Sequence, residues 1–171
     1  MNRFANRIDT VNRTIAGAAR WLVVAMALIQ FANVVLRHVF SISFIQMSEA
    51  VWYLHGLFFT LGAGYALLGD DHVRIDIIYG RLAPRTRAII NLAGTFCLLL
   101  PVCAAIIWFS ADYVAGAWRI REGSAEFGGL AYLYVLKTGI WAFAFLLGLQ
   151  GLALAIRSAA QLSGRPPYPS K

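Results

Sequence analysis

Four long apolar stretches, separated by short charged segments, dominate the pattern of hydrophobic and polar positions along this chain of 171 residues. They cover Trp21–Leu36, Val51–Leu68, Ala88–Phe109 and Leu130–Ile156. Each approaches or exceeds the roughly 20 residues, at about 1.5 Å per residue, that an α-helix needs to cross the hydrocarbon core of a bilayer. Because a backbone in lipid must satisfy its own hydrogen bonds, the pattern predicts an all-α integral membrane fold with four transmembrane helices.

Start and stop signals place the ends of these helices within a single domain, residues 1–162. The predicted spans are about 21–38, 46–68, 85–111 and 130–157. Ser43 precedes Gln46 by three residues, the spacing of a capping box, which would start the second helix near Phe44. Pro84 suits the first turn of the third helix, and Pro101 predicts a bend in the middle of it.

The segments outside the spans are predicted to include two helices at the membrane surface. In residues 1–20, apolar side chains such as Ile8 and Ile15 recur at helical spacing, which predicts an amphipathic helix that continues into the first span. A disordered basic tail is the alternative. A second, short interfacial helix is predicted between spans two and three, because Ile75, Ile78 and Leu82 share a helical face. The proline-rich residues 163–171 are predicted to form a flexible tail.

Charge then orients the chain in the membrane. Hydrophobic residues make up 60% of the sequence and charged residues only 13%, against about 25% in globular domains, and the net charge is +7. Eleven basic residues fall on one side, namely Arg3, Arg7, Arg13, Arg20, Arg74, Arg81, Arg85, Arg87, Arg157, Arg165 and Lys171. Three fall on the other, namely Arg37, Arg119 and Arg121. The positive-inside rule therefore predicts cytoplasmic termini, and the membrane explains the basic balance without a nucleic-acid partner.

Several polar residues interrupt the apolar stretches and are candidates for contacts. Gln30, Asn33 and Arg37 are three and four residues apart, so they form a stripe that either joins helices or lines a substrate path. The same interruptions favour an uncleaved anchor over a secretory signal. Glu49 lies early in the second helix, with Trp52 three residues later on the same side. A structural pair of Glu49 with Arg37, or a partner contact, is favoured over a proton relay.

Residues that could hold a cofactor or perform catalysis are sparse. His55 is the only histidine well inside a span, whereas His38 and His72 fall at opposite membrane faces, so neither bis-histidine haem nor zinc is expected. Cys97 and Cys103 are six residues apart on one helix, cannot readily bridge, and are predicted to be buried and reduced. No phosphate-binding glycine loop and no serine with an evident base occur. We therefore expect no cofactor and no enzymatic activity.

A repeat of small residues marks the fourth span, where Ala144 and Gly148, then Gly151 and Ala155, recur every fourth position. Such a pattern lets helices approach closely. It fits packing within the chain and a seam for a partner equally well.

The sequence resembles the small membrane subunit of the TRAP transporters, which are tripartite, ATP-independent periplasmic uptake systems. The likeness covers about residues 20–160 and lies in four runs: Glu49-Ala-Val-Trp52, Gly62-Ala-Gly64-Tyr65, Asp71-His72-Val73-Arg74-Ile75-Asp76, and Trp118-Arg-Ile-Arg-Glu122-Gly-Ser124-Ala-Glu126-Phe-Gly128-Gly129 followed by Lys137. Leu130-Ala131 departs from the Leu-Pro that members often carry.

The resemblance implies a scaffold in the bacterial inner membrane that clamps a large multi-span permease subunit. That subunit would hold the sodium and substrate sites, and a periplasmic solute-binding protein would deliver an organic acid. By the same resemblance, His72, Arg74 and Asp76 form a corner that contacts the large subunit, while a solvated charged turn at the lipid headgroups is the alternative. A haem- or quinone-linked membrane anchor and a self-sufficient small exporter are the other functions considered.

Overall fold

A computed structural model describes residues 2–69 and 82–163 of the chain, and these residues are helical apart from their connections. The helices are α1 (Asn2–Val39), α2 (Ile45–Leu68), α3 (Pro84–Gly94), α4 (Leu100–Ile120) and α5 (Leu133–Leu162), with a π-helical turn at Thr95–Leu99 that joins α3 to α4. Among the described residues, four helical segments are long and apolar enough to cross a membrane. The predicted all-α fold with four helices of membrane-spanning length is thereby confirmed.

The first span and the segment before it form one uninterrupted helix. α1 has 38 residues and a length of about 57 Å. Of the apolar face predicted for its first part, Ile8 is buried within the chain, but Phe4 and Val11 are exposed. The buried residues of α1 are Ala5, Ile8, Asn12 and Ala19, so Ile8 is the one residue that the predicted and the buried faces share. The location of residues 1–20 at the membrane surface stays a prediction.

The second helix starts near the predicted residue but without the predicted cap. Phe44 occupies the N-cap position of α2, and no side chain caps the helix there. The Gln46 side chain, which a capping box would turn back toward Ser43, donates instead to the Gly128 carbonyl oxygen. The helix ends at Leu68. The interfacial helix predicted after it, with His72, Arg74 and Asp76, lies outside the described residues.

The third span is a continuous helical run from Pro84 to Ile120 with a change of geometry in its middle. Pro84 lies in the first turn of α3, as predicted. The Leu100 N–H donates to the Thr95 carbonyl oxygen five residues back, which is the π-helical pattern. Pro101, which has no N–H to donate, follows this turn directly. A π turn thus directly precedes Pro101, whereas the bend predicted at this residue stays a prediction.

The last helix, α5, is the centre of the molecule. Half of the residues in its apolar stretch of 18 residues are buried inside the chain, whereas the share is 11% or less in the corresponding stretches of the other three spans. It contacts α1, α2, α3 and α4, whereas α1 and α2 pack mainly on each other and on α5. In the described part of the chain, α5 thus lies between the hairpin of α1 and α2 on one side and α3 with α4 on the other.

Small residues on α5 make this central position possible. Ala144, Gly148, Gly151 and Ala155 are all buried. A Cβ on Gly148 would lie 3.7 Å from the Cβ of Cys103, and one on Gly151 would collide with the Leu99 side chain. The small-residue repeat is therefore used for packing within the chain.

The two cysteines differ in their surroundings. Cys103 is buried against α5, as predicted, but Cys97 is exposed on the surface of the described chain. The prediction that both are buried is wrong for Cys97. This residue lies in the π turn, where Thr95 and Leu99 face Gly151 of α5 and Cys97, two residues from each, lies on another face.

Candidate functional site

Glu49 is the most completely bound polar side chain among the residues singled out from the sequence. It lies in the second turn of α2 and is 8% exposed. The Ser124 hydroxyl donates to its Oε1, and the Leu130 backbone N–H donates to its Oε2 at 2.6 Å. Both donors belong to the loop of residues 121–132, which we call the α4–α5 loop. The carboxylate of Glu49 thus binds a segment far away in the sequence.

A second residue of α2 binds the same loop. Gln46, almost one turn before Glu49, donates its amide N–H to the Gly128 carbonyl oxygen. Gly128 has a φ of +75°, a conformation that glycine adopts without strain. A Cβ on the next residue, Gly129, would lie 2.7 Å from Glu49 Oε2, so glycine is required for the carboxylate to approach. We call the contacts of Gln46 and Glu49 with the loop the loop latch.

The α4–α5 loop also holds itself together. The Ser124 N–H donates to the Leu130 carbonyl oxygen at 2.8 Å, and the Gly129 N–H donates to the Glu126 carbonyl oxygen at 3.0 Å. The Ser124 hydroxyl oxygen accepts the Glu126 N–H at 3.0 Å. Phe127, at the tip, is fully exposed. The loop is therefore a compact turn with the Phe127 side chain projecting from its tip.

The hypothetical pair of Glu49 with Arg37 is not formed. The loop donors occupy both oxygens of Glu49, and Arg37 is exposed at the end of α1. Asn33, one turn earlier on the same stripe, donates its amide N–H to the Ser48 hydroxyl oxygen of α2 at 3.2 Å. Gln30 and Trp52 are exposed. The predicted polar stripe is thus divided, with Asn33 joining the hairpin and its other members facing outward.

An ion pair that was not predicted from the sequence joins the α4–α5 loop to α5. Lys137 Nζ is 2.5 Å from Glu122 Oε2, and the lysine side chain is only 9% exposed. Its ammonium group also lies over the Tyr113 ring, 3.9 Å from the centroid. A lysine at the start of an apolar span, fifteen residues after a glutamate in the preceding joint, was the available signal.

A polar network at the opposite end of α5 was also missed. Asn12 Nδ2 donates to Gln150 Oε1 at 2.9 Å, and Gln150 Nε2 donates to Asp9 Oδ1 at 3.1 Å. Arg157 forms an ion pair with the other oxygen of Asp9. Asn12 and Gln150 are each 1% exposed. An amide in the middle of an apolar span, as at Gln150, indicates a buried partner, and this signal was overlooked.

The remaining candidates for ligand binding are not brought together. His55 is exposed, and its ring packs beside Phe59 with centroids 4.8 Å apart. No group of three or more histidine, cysteine or acidic side chains that could hold a metal ion occurs within residues 2–69 and 82–163. The buried polar side chains described above, such as Glu49, Lys137 and Gln150, join helices and loops to one another.

A comparison with known protein families identifies the family of this chain. Residues 26–165 match the model of the DctQ component of the tripartite ATP-independent periplasmic transporters. The chain belongs to this family. The DctQ component is a part of a transporter and not an enzyme, and the resemblance inferred from the sequence motifs is confirmed. Neither the comparison with curated proteins nor the comparison with solved structures finds a match.

Membership in the DctQ family also gives the setting in which the chain works. TRAP systems combine the DctQ component with a large permease and a periplasmic binding protein. Together with the four apolar helices, this makes the chain a multi-pass membrane protein that serves as the small component of a TRAP transporter.

Proposed function

We propose that this DctQ component is the scaffold of a sodium-driven importer in a bacterial inner membrane. It clamps the large permease subunit, and that subunit takes up an organic acid delivered by the periplasmic binding protein. Both termini lie in the cytoplasm in this arrangement. The coupling ion and the class of solute rest on the family resemblance, and the orientation rests on the distribution of basic residues.

The observation that carries the scaffold role is the apolar surface that the chain leaves uncovered. In the apolar stretches of 18 residues within the first three spans, only 0%, 6% and 11% of the residues are buried inside the chain. Polar groups near the ends of the helices bind one another, as Glu49 binds the α4–α5 loop and Asp9 binds Arg157. A chain that uses its buried polar groups for its own packing, while exposing broad apolar faces, is suited to holding a membrane partner.

Some of the polar residues singled out from the sequence are proposed to contact that partner. Gln30, Arg37 and Trp52 are exposed on α1 and α2, so their side chains are available to the large subunit. His72, Arg74 and Asp76 are assigned to the same interface on the family resemblance alone.

Reconstitution tests the proposal. The small and large subunits are purified together, placed in liposomes, and supplied with the binding protein loaded in turn with labelled dicarboxylates, 2-oxo acids and sugar acids. We expect uptake of one of these classes, driven by an inward sodium gradient and abolished when the small subunit is left out. Uptake by the small subunit alone, uptake without sodium, or a haem absorption band in the purified chain would contradict the proposal.

A further inference from the structure

The described part of the molecule consists of two halves that both pack on α5. The first half is the hairpin of α1 and α2, and the second is the run of α3, the π turn and α4. Within residues 2–69 and 82–163, α4 makes its extensive contacts with α5 and the π turn. At the end where α4 stops, the α4–α5 loop crosses to α2 and is bound by Gln46 and Glu49.

We propose that Glu49 is a positioning residue that holds the α4–α5 loop on α2 and fixes the single conformation in which the loop is presented at the membrane surface. Its carboxylate ties the second half of the molecule to the first at this end. The loop, with Phe127 at its tip, is thereby kept in place during transport. The effect on transport rests on the proposed function, whereas the effect on the loop does not.

The chemistry of the contact supports this role. A carboxylate offers only acceptors, and here both oxygens face donors of the loop, the Ser124 hydroxyl and the Leu130 N–H. Hydrogen bonds to an ionised group are about twice as strong as neutral ones. Because Glu49 is almost fully buried, its charge needs these donors, and the carboxylate in turn holds the loop on α2 together with Gln46.

Substitution by glutamine separates this role from simple space filling. Glu49→Gln keeps one carbonyl oxygen for the Leu130 N–H and offers an amide N–H to the Ser124 hydroxyl oxygen, which can accept it. Glu49→Ala removes both contacts. A positioning role therefore predicts that glutamine rescues much of what alanine loses.

The experiment measures loop motion in the assembled transporter. A spin label is attached to cysteine at position 127 in a background with Cys97→Ser and Cys103→Ala. Position 127 is chosen because Phe127 is fully exposed, so the label reports the backbone rather than a contact. We expect Glu49→Ala to increase the mobility of the label, Glu49→Gln to stay near the parent protein, and Glu126→Ala, a matched loss of an exposed carboxylate in the same loop, to change nothing.

Assembly and uptake are measured on the same variants without the label. Glu49→Ala should copurify with the large subunit and lower uptake by about fivefold or more, because a loss of only about 1 kcal/mol already changes the ratio of bound to released loop by that factor. Unchanged label mobility in Glu49→Ala would overturn the latch, and increased mobility with normal uptake would overturn its part in transport. If Glu49→Ala fails to assemble, two further variants are measured. Gln46→Ala removes the bond to Gly128, and Ser124→Ala removes the bond to Glu49 together with the bond from the Glu126 N–H. Each must raise the mobility of the label above that of the parent protein. Absence of uptake in the parent transporter would count against the proposed function and leave the mobility comparison decisive for the latch.

Discussion

Gly64 lies where α1, α2 and α5 come together, and its missing side chain is what allows them to do so. A Cβ at this position would collide with the Asn12 side-chain oxygen and lie 3.0 Å from the Leu146 carbonyl oxygen. Asn12 in turn binds Gln150. One glycine therefore makes room for the buried amide pair that joins the first helix to the last.

Gly64→Ala should lower the stability of the chain, because neither the backbone of α5 nor the bound Asn12 side chain can yield without losing a contact. Overpacking of this kind costs about 1–3 kcal/mol. The matched control is Gly62→Ala, since a Cβ there meets nothing within 4 Å. Thermal unfolding in detergent, followed by tryptophan fluorescence, should show a lower midpoint for Gly64→Ala and an equal or higher one for Gly62→Ala. Equal midpoints for the two variants would refute the crowding argument.

Sequence patterns identified Glu49 as a bound polar residue but not its partners. Helical spacing relates a residue to neighbours three or four positions away, whereas Ser124 and Leu130 are 75 and 81 residues from Glu49. One of the two donors is a backbone N–H, which leaves no mark in the choice of side chain. The pairing with Arg37 was inferred because it was the nearest opposite charge across a hairpin, and the fold satisfies Glu49 differently.

At the scale of helices, the number of long apolar spans and their helical type followed directly from the apolar stretches. Long apolar stretches in lipid have few alternatives to the helix. The ends were harder, because Gln46 was expected to cap its own helix and binds Gly128 instead. The π turn at Thr95–Leu99 has no sequence signature beyond the proline that follows it. Tertiary contacts therefore decided the details that local rules left open.

The contact between α5 and the π turn gives a prediction at this scale. Gly151→Val should weaken packing by about 1–3 kcal/mol, because the new side chain would overlap Leu99. Shortening the partner in the double variant Gly151→Val, Leu99→Ala should restore part of the stability, measured as the unfolding midpoint of the purified chain. Gly116→Val serves as the control, since a Cβ there meets nothing within 4 Å. A double variant less stable than either single one would contradict this account.

For the whole molecule, the charge distribution predicts one orientation in the membrane. Fluorescent-protein fusions at either terminus should be fluorescent, and alkaline phosphatase fusions at the same sites should be inactive, because this orientation would place both ends in the cytoplasm. A cysteine at position 127 should react with a membrane-impermeant maleimide added to intact cells. An active phosphatase fusion at either terminus, or a cysteine at position 127 that the maleimide does not reach, would exclude this topology.

The lengths of α1 and α5 have a consequence for how the chain lies in the bilayer. From Asp9 to Arg37, α1 rises about 42 Å, whereas α5 rises about 30 Å from Lys137 to Arg157. Asp9 and Arg157 are joined in an ion pair, so the extra length of α1 lies toward its other end. The longer helix therefore either tilts relative to α5 or extends beyond the hydrocarbon core at that end. A leaning helix sweeps a wider footprint through the lipid than an upright one and meets the headgroups at a shallow slope.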